Sequence, residues 1–175
     1  MRWISHIAIA CAVCAVINPL AVPAAAAGST APDWIEMLRR AVSRRKVKHR
    51  GATHYLVGWL LVMGFGLVVW DWNSWVYWFG AGGLIHWTCD ALTVTGAPVG
   101  WWSDRRITIF GGKVKTGGTY EYIITSVIVA ICVLLIVTRA TTAGGFIPFF
   151  YEWGDFFERG LVDGLEWRTN RFNMI

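Results

Sequence analysis

The chain has 175 residues, 55% of them hydrophobic and only 15% charged. An ordinary soluble domain carries about 25% charged residues, so one membrane domain is the default. The net charge of +5 is confined to two loops beside apolar segments, with no stacking platform or groove-reading motif, which argues against a nucleic-acid partner.

Twelve Trp against five Pro also point to a bilayer, because indole joins an apolar body to one donor and settles at the headgroup boundary. Residues Ile4 to Ala27 are apolar, interrupted by Asn18-Pro19 and Pro23 and preceded by Arg2. Three readings compete for this segment: a secretory signal peptide, a single spanning helix, or two short helices turning at Asn18-Pro19. From Leu38 to Arg50 the chain carries seven cations, Arg39, Arg40, Arg44, Arg45, Lys46, Lys48 and Arg50. Such a run beside a membrane segment stays inside the cell, and a solvated loop attracted to anionic headgroups accounts for it without a catalytic role.

Tyr55 to Trp70 and Trp75 to Cys89 read as a helical hairpin, each arm about 16 residues and roughly 24 Å long. Trp70, Trp72, Trp75 and Trp78 cluster at its tip as an aromatic belt, with Asp71 as the tip charge. Ser103 to Gly118 is a glycine-rich polar loop with Arg105, Arg106, Lys113 and Lys115, returning to the basic side. Tyr120 to Thr138 is the clearest spanning helix, and Phe146 to Ile175 reads as an interfacial amphipathic helix. The expected fold is all-α: helical hairpins with about four to five membrane helices. Residues 1–140 form the membrane domain and 141–175 an amphipathic tail. Cys11, Cys14, Cys89 and Cys132 lie in apolar stretches without the flanks of a zinc ribbon, and read as buried thiols.

The chemistry-bearing residues are few. His54 opens the first arm of the hairpin and His86 closes the second, so an antiparallel pair brings both to one depth. Asp90 follows His86 by four residues, on the same helical face. That spacing offers imidazole nitrogen and anionic oxygen to a divalent metal. A hydrogen-bonded histidine inside a bundle is the bland alternative for His86, but an unpaired carboxylate near a membrane helix end costs several kcal/mol without a cation or donors. His49 precedes His54 by five residues around Gly51, which allows a sharp turn, and Thr53 is positioned to cap the helix. Asp33 and Glu121 fall at the same edge, where each could equally be an acidic residue near a helix N-terminus.

The strings Ala31-Pro32-Asp33, His49-Arg50-Gly51-Ala52-Thr53-His54 and Ile85-His86-Trp87-Thr88-Cys89-Asp90, running on to Gly96-Ala97-Pro98-Val99, resemble the YdjM-like family of bacterial inner-membrane proteins, described as metal-dependent hydrolases. Ser5-His6, Arg105-Arg106 and the stretch from Gly118 to Glu121 fit the same order, so the resemblance covers roughly residues 5 to 138. The chain departs from the family where a second aspartate and a histidine usually follow the Pro-Asp pair, having Ile35 and Glu36 there. The resemblance implies that His6 and Asp33 share one metal, which a straight helix would forbid by separating them roughly 40 Å. The turn at Asn18-Pro19 is therefore the preferred reading.

The expected protein is a membrane-bound, metal-dependent hydrolase at the cytoplasmic face of the inner membrane. Its ligands are His54, His86 and Asp90, completed by His6, His49 and Asp33. Glu121 or Glu36 serves as general base, the cofactor is a divalent metal, Zn2+, and a lipid or phosphoester is the substrate. The rivals are a non-enzymatic scaffold in which a metal only ties helices together, and a metal-ion carrier.

Overall fold

Fifteen residues without Gly or Pro, Trp3–Ile17, form helix α1 in the computed structural model, which describes residues 1–43, 50–70 and 74–143. The helix stops where the next residue but one cannot continue it: Asn18 donates its backbone N–H to the Cys14 carbonyl at 2.7 Å, and Pro19 has no N–H to offer. A single 3-10 turn, Pro19–Ala21, reverses the chain into α2, Val22–Val42. Pro23 sits in the first turn of α2, where a missing donor is harmless. The preferred reading of the first segment, two helices turning at Asn18-Pro19, is what the chain adopts.

Helices α3, Leu56–Val69, and α4, Trp75–Ala91, make the second hairpin. Ser74 closes it by accepting the Tyr77 N–H at 3.1 Å and donating to the Gly66 carbonyl at 3.3 Å. Asp71 and Trp72 of the expected tip lie outside the described residues. Trp75 is 62% exposed at the hairpin tip, but Trp78 is buried against Cys14, Ala21 and Ala24. Trp78 therefore belongs to the core and not to the aromatic belt, because one turn along α4 its face meets the α1–α2 turn.

Helices α2 and α4 approach backbone to backbone. A Cβ at Gly28 would stand 2.0 Å from the Phe79 carbonyl oxygen, and one at Gly82 would stand 2.2 Å from that of Ala25. Within lipid, burial alone gives helices little reason to associate, and this backbone approach supplies the packing instead.

Between α4 and the last helix the chain is not the plain loop expected. Strand β1, Ala97–Gly100, pairs antiparallel with β2, Ser103–Ile107, with Ala97 opposite Ile107 and Gly100 opposite Ser103. The strands are four and five residues long and the second carries Arg105 and Arg106, so no alternating pattern marks them. Trp87 ties the hairpin to α4 by donating its indole N–H to the Pro98 carbonyl at 2.7 Å.

Helix α5, Thr119–Ala143, packs on α1. Its segment Thr119–Thr138 is the one helix among the described residues long and apolar enough to cross a membrane. Ile123, Val127, Ile131 and Leu134 along it are exposed, as a lipid-facing helix requires. Five α-helices are present among the described residues, α1, α3 and α4 being shorter than a full span. The amphipathic helix expected over Phe146 to Ile175 lies outside the described residues, as does His49. All four thiols are free, and Cys14, Cys89 and Cys132 are buried.

Candidate metal centre

His86 lies one turn before Asp90 on α4, and both are buried. Its Nδ1 lies 2.7 Å from the Ser29 carbonyl of α2. A carbonyl only accepts, so Nδ1 carries the proton and Nε2 keeps the lone pair. Pro32, inside α2, removes the backbone donor that would reach the Gly28 carbonyl, one residue before Ser29. The Nε2 so oriented is 3.6 Å from Asp90 Oδ2, and it has no hydrogen-bond partner.

His6 arrives from α1. Its ring stacks on that of His86, centroids 4.0 Å apart and planes 16° from parallel. His6 Nε2 is 3.6 Å from Asp90 Oδ1, and both of its ring nitrogens are buried without a partner. Buried polar atoms are nearly always satisfied. Two imidazole nitrogens, His6 Nε2 and His86 Nε2, thus face the two oxygens of one carboxylate, a donor set that could hold a metal ion.

His54 closes the other side, its ring edge-on to that of His86 at 5.2 Å. It sits in a 3-10 turn, Ala52–His54, just ahead of α3. His54 Nε2 is 3.2 Å from Asp33 Oδ1, and Nδ1 is 3.0 Å from the Thr53 hydroxyl and 3.5 Å from Glu36 Oε2. Thr53 thus serves its neighbouring imidazole and does not cap α3. Two trios offer ligand atoms that all lie within 4.8 Å of one another, His6 with His86 and Asp90, and Asp33 with His54 and His86. His86 belongs to both. Asp33 is the most open member, with 23% of its side chain exposed.

Arg50 is the residue that sequence reasoning passed over. Its backbone takes the left-handed conformation at φ 56°, uncommon for a residue with a side chain and typical of functional sites. Its contacts hold it there. Nη2 donates to Asp90 Oδ1 at 3.0 Å, Nη1 to the Gly96 carbonyl at 3.0 Å and to the Thr95 hydroxyl, and the backbone N–H to Glu36 Oε2 at 2.9 Å. The Met1 nitrogen is also 2.8 Å from Asp90 Oδ1. One oxygen of Asp90 is therefore occupied by donors, while Oδ2 faces His86. Only the position of Arg50 between two candidate histidines set it apart from the other six cations.

The two carboxylates expected as general base occupy different places. Glu36 borders the cluster beside His54, with Oε1 paired to Arg40. Glu121 is fully buried at the start of α5 and belongs to neither trio. It accepts the Arg2 N–H at 2.7 Å, the Ser5 hydroxyl at 2.6 Å and the Gly117 N–H at 2.7 Å. Those bonds fasten the first turn of α1, and with it His6, to the spanning helix.

A helical membrane protein with a buried histidine–aspartate cluster that could hold a metal ion is the class that this fold and site define. The chain belongs to the YdjM inner membrane protein family, whose sequence model matches residues 1–151. No curated protein and no solved structure matches it.

Proposed function

We propose that the chain is a membrane-bound hydrolase using one divalent ion, zinc, at the cytoplasmic rim of the inner membrane, with a phosphoester or lipid phosphate as substrate. The observation that carries this reading is the set of unpartnered nitrogens on His6 and His86 around Asp90. His6, His86 and Asp90 form the heart of the ligand set, and His54 and Asp33 complete it, with His49 assigned to the same shell. A neutral imidazole whose Nδ1–H is committed to Ser29 has one lone pair left, so His86 serves one ion. Both trios cannot be filled at once through it. The ion supplies Lewis acidity toward a phosphoryl or carbonyl oxygen and acidifies water.

The protein residues do the rest. Asp33, partly open to solvent, marks the side from which substrate enters. Glu36, 3.5 Å from His54, is the better placed of the two candidate bases. Glu121 acts as a positioning residue through Ser5 and His6. The cationic segment that ends at Arg50 favours the cytoplasmic side and an anionic substrate.

The rival reading is a closed structural ion that ties helices without turnover, and Ile35 and Glu36 in place of the family's usual aspartate and histidine favour it. Metal analysis of the purified full chain tests both, with one ion per chain expected in wild type and loss of it in His86→Ala. No bound metal, or unchanged content in His86→Ala, would sink both readings. Phosphodiester or lipid-phosphate hydrolysis that disappears in Asp90→Ala supports the enzyme, and a metal-loaded chain inert on these substrates supports the structural ion.

A further inference from the structure

The segment joining α4 to α5 exposes three large aromatic side chains beside a series of cations. Trp101 is 67% exposed, Trp102 60% and Phe110 85%. Arg105, Arg106, Lys113 and Lys115 are exposed along the same stretch. We propose that the hairpin tip Trp101-Trp102 and the turn at Phe110 are an interfacial anchor that dips into the leaflet beside the metal centre, its partner being the headgroup region of acidic lipids. The inference is independent of whether the histidine cluster holds an ion.

Depth is the first argument. Trp87, which holds Pro98 of β1, precedes Asp90 by three residues on a helix rising toward the rim. That bond ties β1 to α4 within one helical turn of Asp90. The other end of the segment is fixed as well: Val94 donates to the Val114 carbonyl at 3.1 Å, and Val114 to the Leu92 carbonyl at 3.3 Å. Lys115 lies four residues before Thr119, where the spanning segment begins. Both attachments hold the segment at the level where α5 enters the bilayer.

Chemistry is the second. The two indoles at the hairpin tip meet edge to face, with centroids 5.1 Å apart, and form one apolar, amphipathic wedge. Phe110 is held outward at φ 51°, a conformation that bulky residues rarely adopt. Indole and phenyl groups beside Arg and Lys are the composition of a surface lying in a headgroup layer. The cations fit an anionic leaflet. A protein-binding core would instead be depleted in lysine.

The test uses the full chain in nanodiscs of phosphatidylcholine, with and without phosphatidylglycerol. A polarity-sensitive fluorophore is attached to Phe110→Cys or, separately, to Trp102→Cys, with labelled wild type as the blank for native thiols. The expected result is blue-shifted emission, quenching by brominated acyl chains and weak quenching by iodide. Acidic lipid should strengthen the effect, and the double change Arg105→Gln with Arg106→Gln should weaken it several-fold. A probe equally open to iodide in both lipid mixtures overturns the proposal, as does indifference to acidic lipid and to the double change. Shielding from both quenchers with two chains per disc also overturns it, by assigning the surface to a second copy. If Trp102→Cys fails to fold, the Phe110 probe gives the same readout from outside the hairpin.

Discussion

His6, at the end of the first turn of α1, lies face to face with His86 of α4 at a centroid distance of 4.0 Å, although eighty residues separate them in the chain. Each ring turns a nitrogen toward Asp90, at 3.6 Å, and the stack ties the N-terminal hairpin to α4.

Loss of either stacked ring should therefore remove the ion. For His6→Ala and His86→Ala we expect metal content of the purified chain to fall at least tenfold, while far-ultraviolet circular dichroism stays unchanged. Retention of metal in His6→Ala would remove α1 from the ligand set.

Glu121 separates a base from a positioning group. In Glu121→Gln one side-chain oxygen survives to accept from Ser5 or Gly117, so the ion should be largely retained. In Glu121→Ala the buried donors of Arg2, Ser5 and Gly117 lose their acceptor, at about 1–3 kcal/mol for each group left unsatisfied. Metal content should fall with that variant and thermal unfolding should shift downward. Equal metal content in both variants, with hydrolysis abolished in both, would instead make Glu121 the base.

Arg50 pairs with the carboxylate that the proposed ion would share. The Met1 nitrogen stays on Asp90 in Arg50→Ala, so the variant should cost less than the roughly 3–5 kcal/mol of an uncompensated buried charge and should lower the unfolding temperature most when a chelator is present. Saturating zinc at about a hundredfold over its dissociation constant restores roughly 2.7 kcal/mol. Thermal unfolding in detergent, with and without chelator, measures the difference. An identical shift under both conditions would mean that the ion does not meet Asp90.

The crossing of α2 and α4 leaves no room for a methyl group at Gly82. Gly82→Ala should separate the helices and destabilise the protein by about 1–3 kcal/mol. Because Ser29 and His86 lie on the two helices concerned, the same change should also weaken metal retention. A variant as stable as wild type would contradict the observed approach.

Much of the architecture was legible in the residues. Asp90 four positions after His86 follows from helical periodicity, His54 and His86 meet at the open end of a hairpin because its arms run antiparallel, and Asn18-Pro19 carries its own stop signal. The strands β1 and β2 were not legible, being too short and too charged to show alternation. Arg50 was hidden among six like residues, and only folding places it against Asp90. Trp78 looked like its neighbours at the tip, yet its side of α4 faces inward. The partner of His86 Nδ1 had no side-chain signature at all.

That last contact affects how the protein tolerates change. The atom that aims His86 belongs to the main chain, so replacing the Ser29 side chain leaves it in place. A replacement at Ser29 small enough for the buried space between the helices keeps that carbonyl. The orientation of the imidazole is vulnerable instead to the local course of α2, which Gly28 and Pro32 govern. Mutations at those two positions, neither of which offers a ligand, are where metal binding would be lost without any donor having been touched.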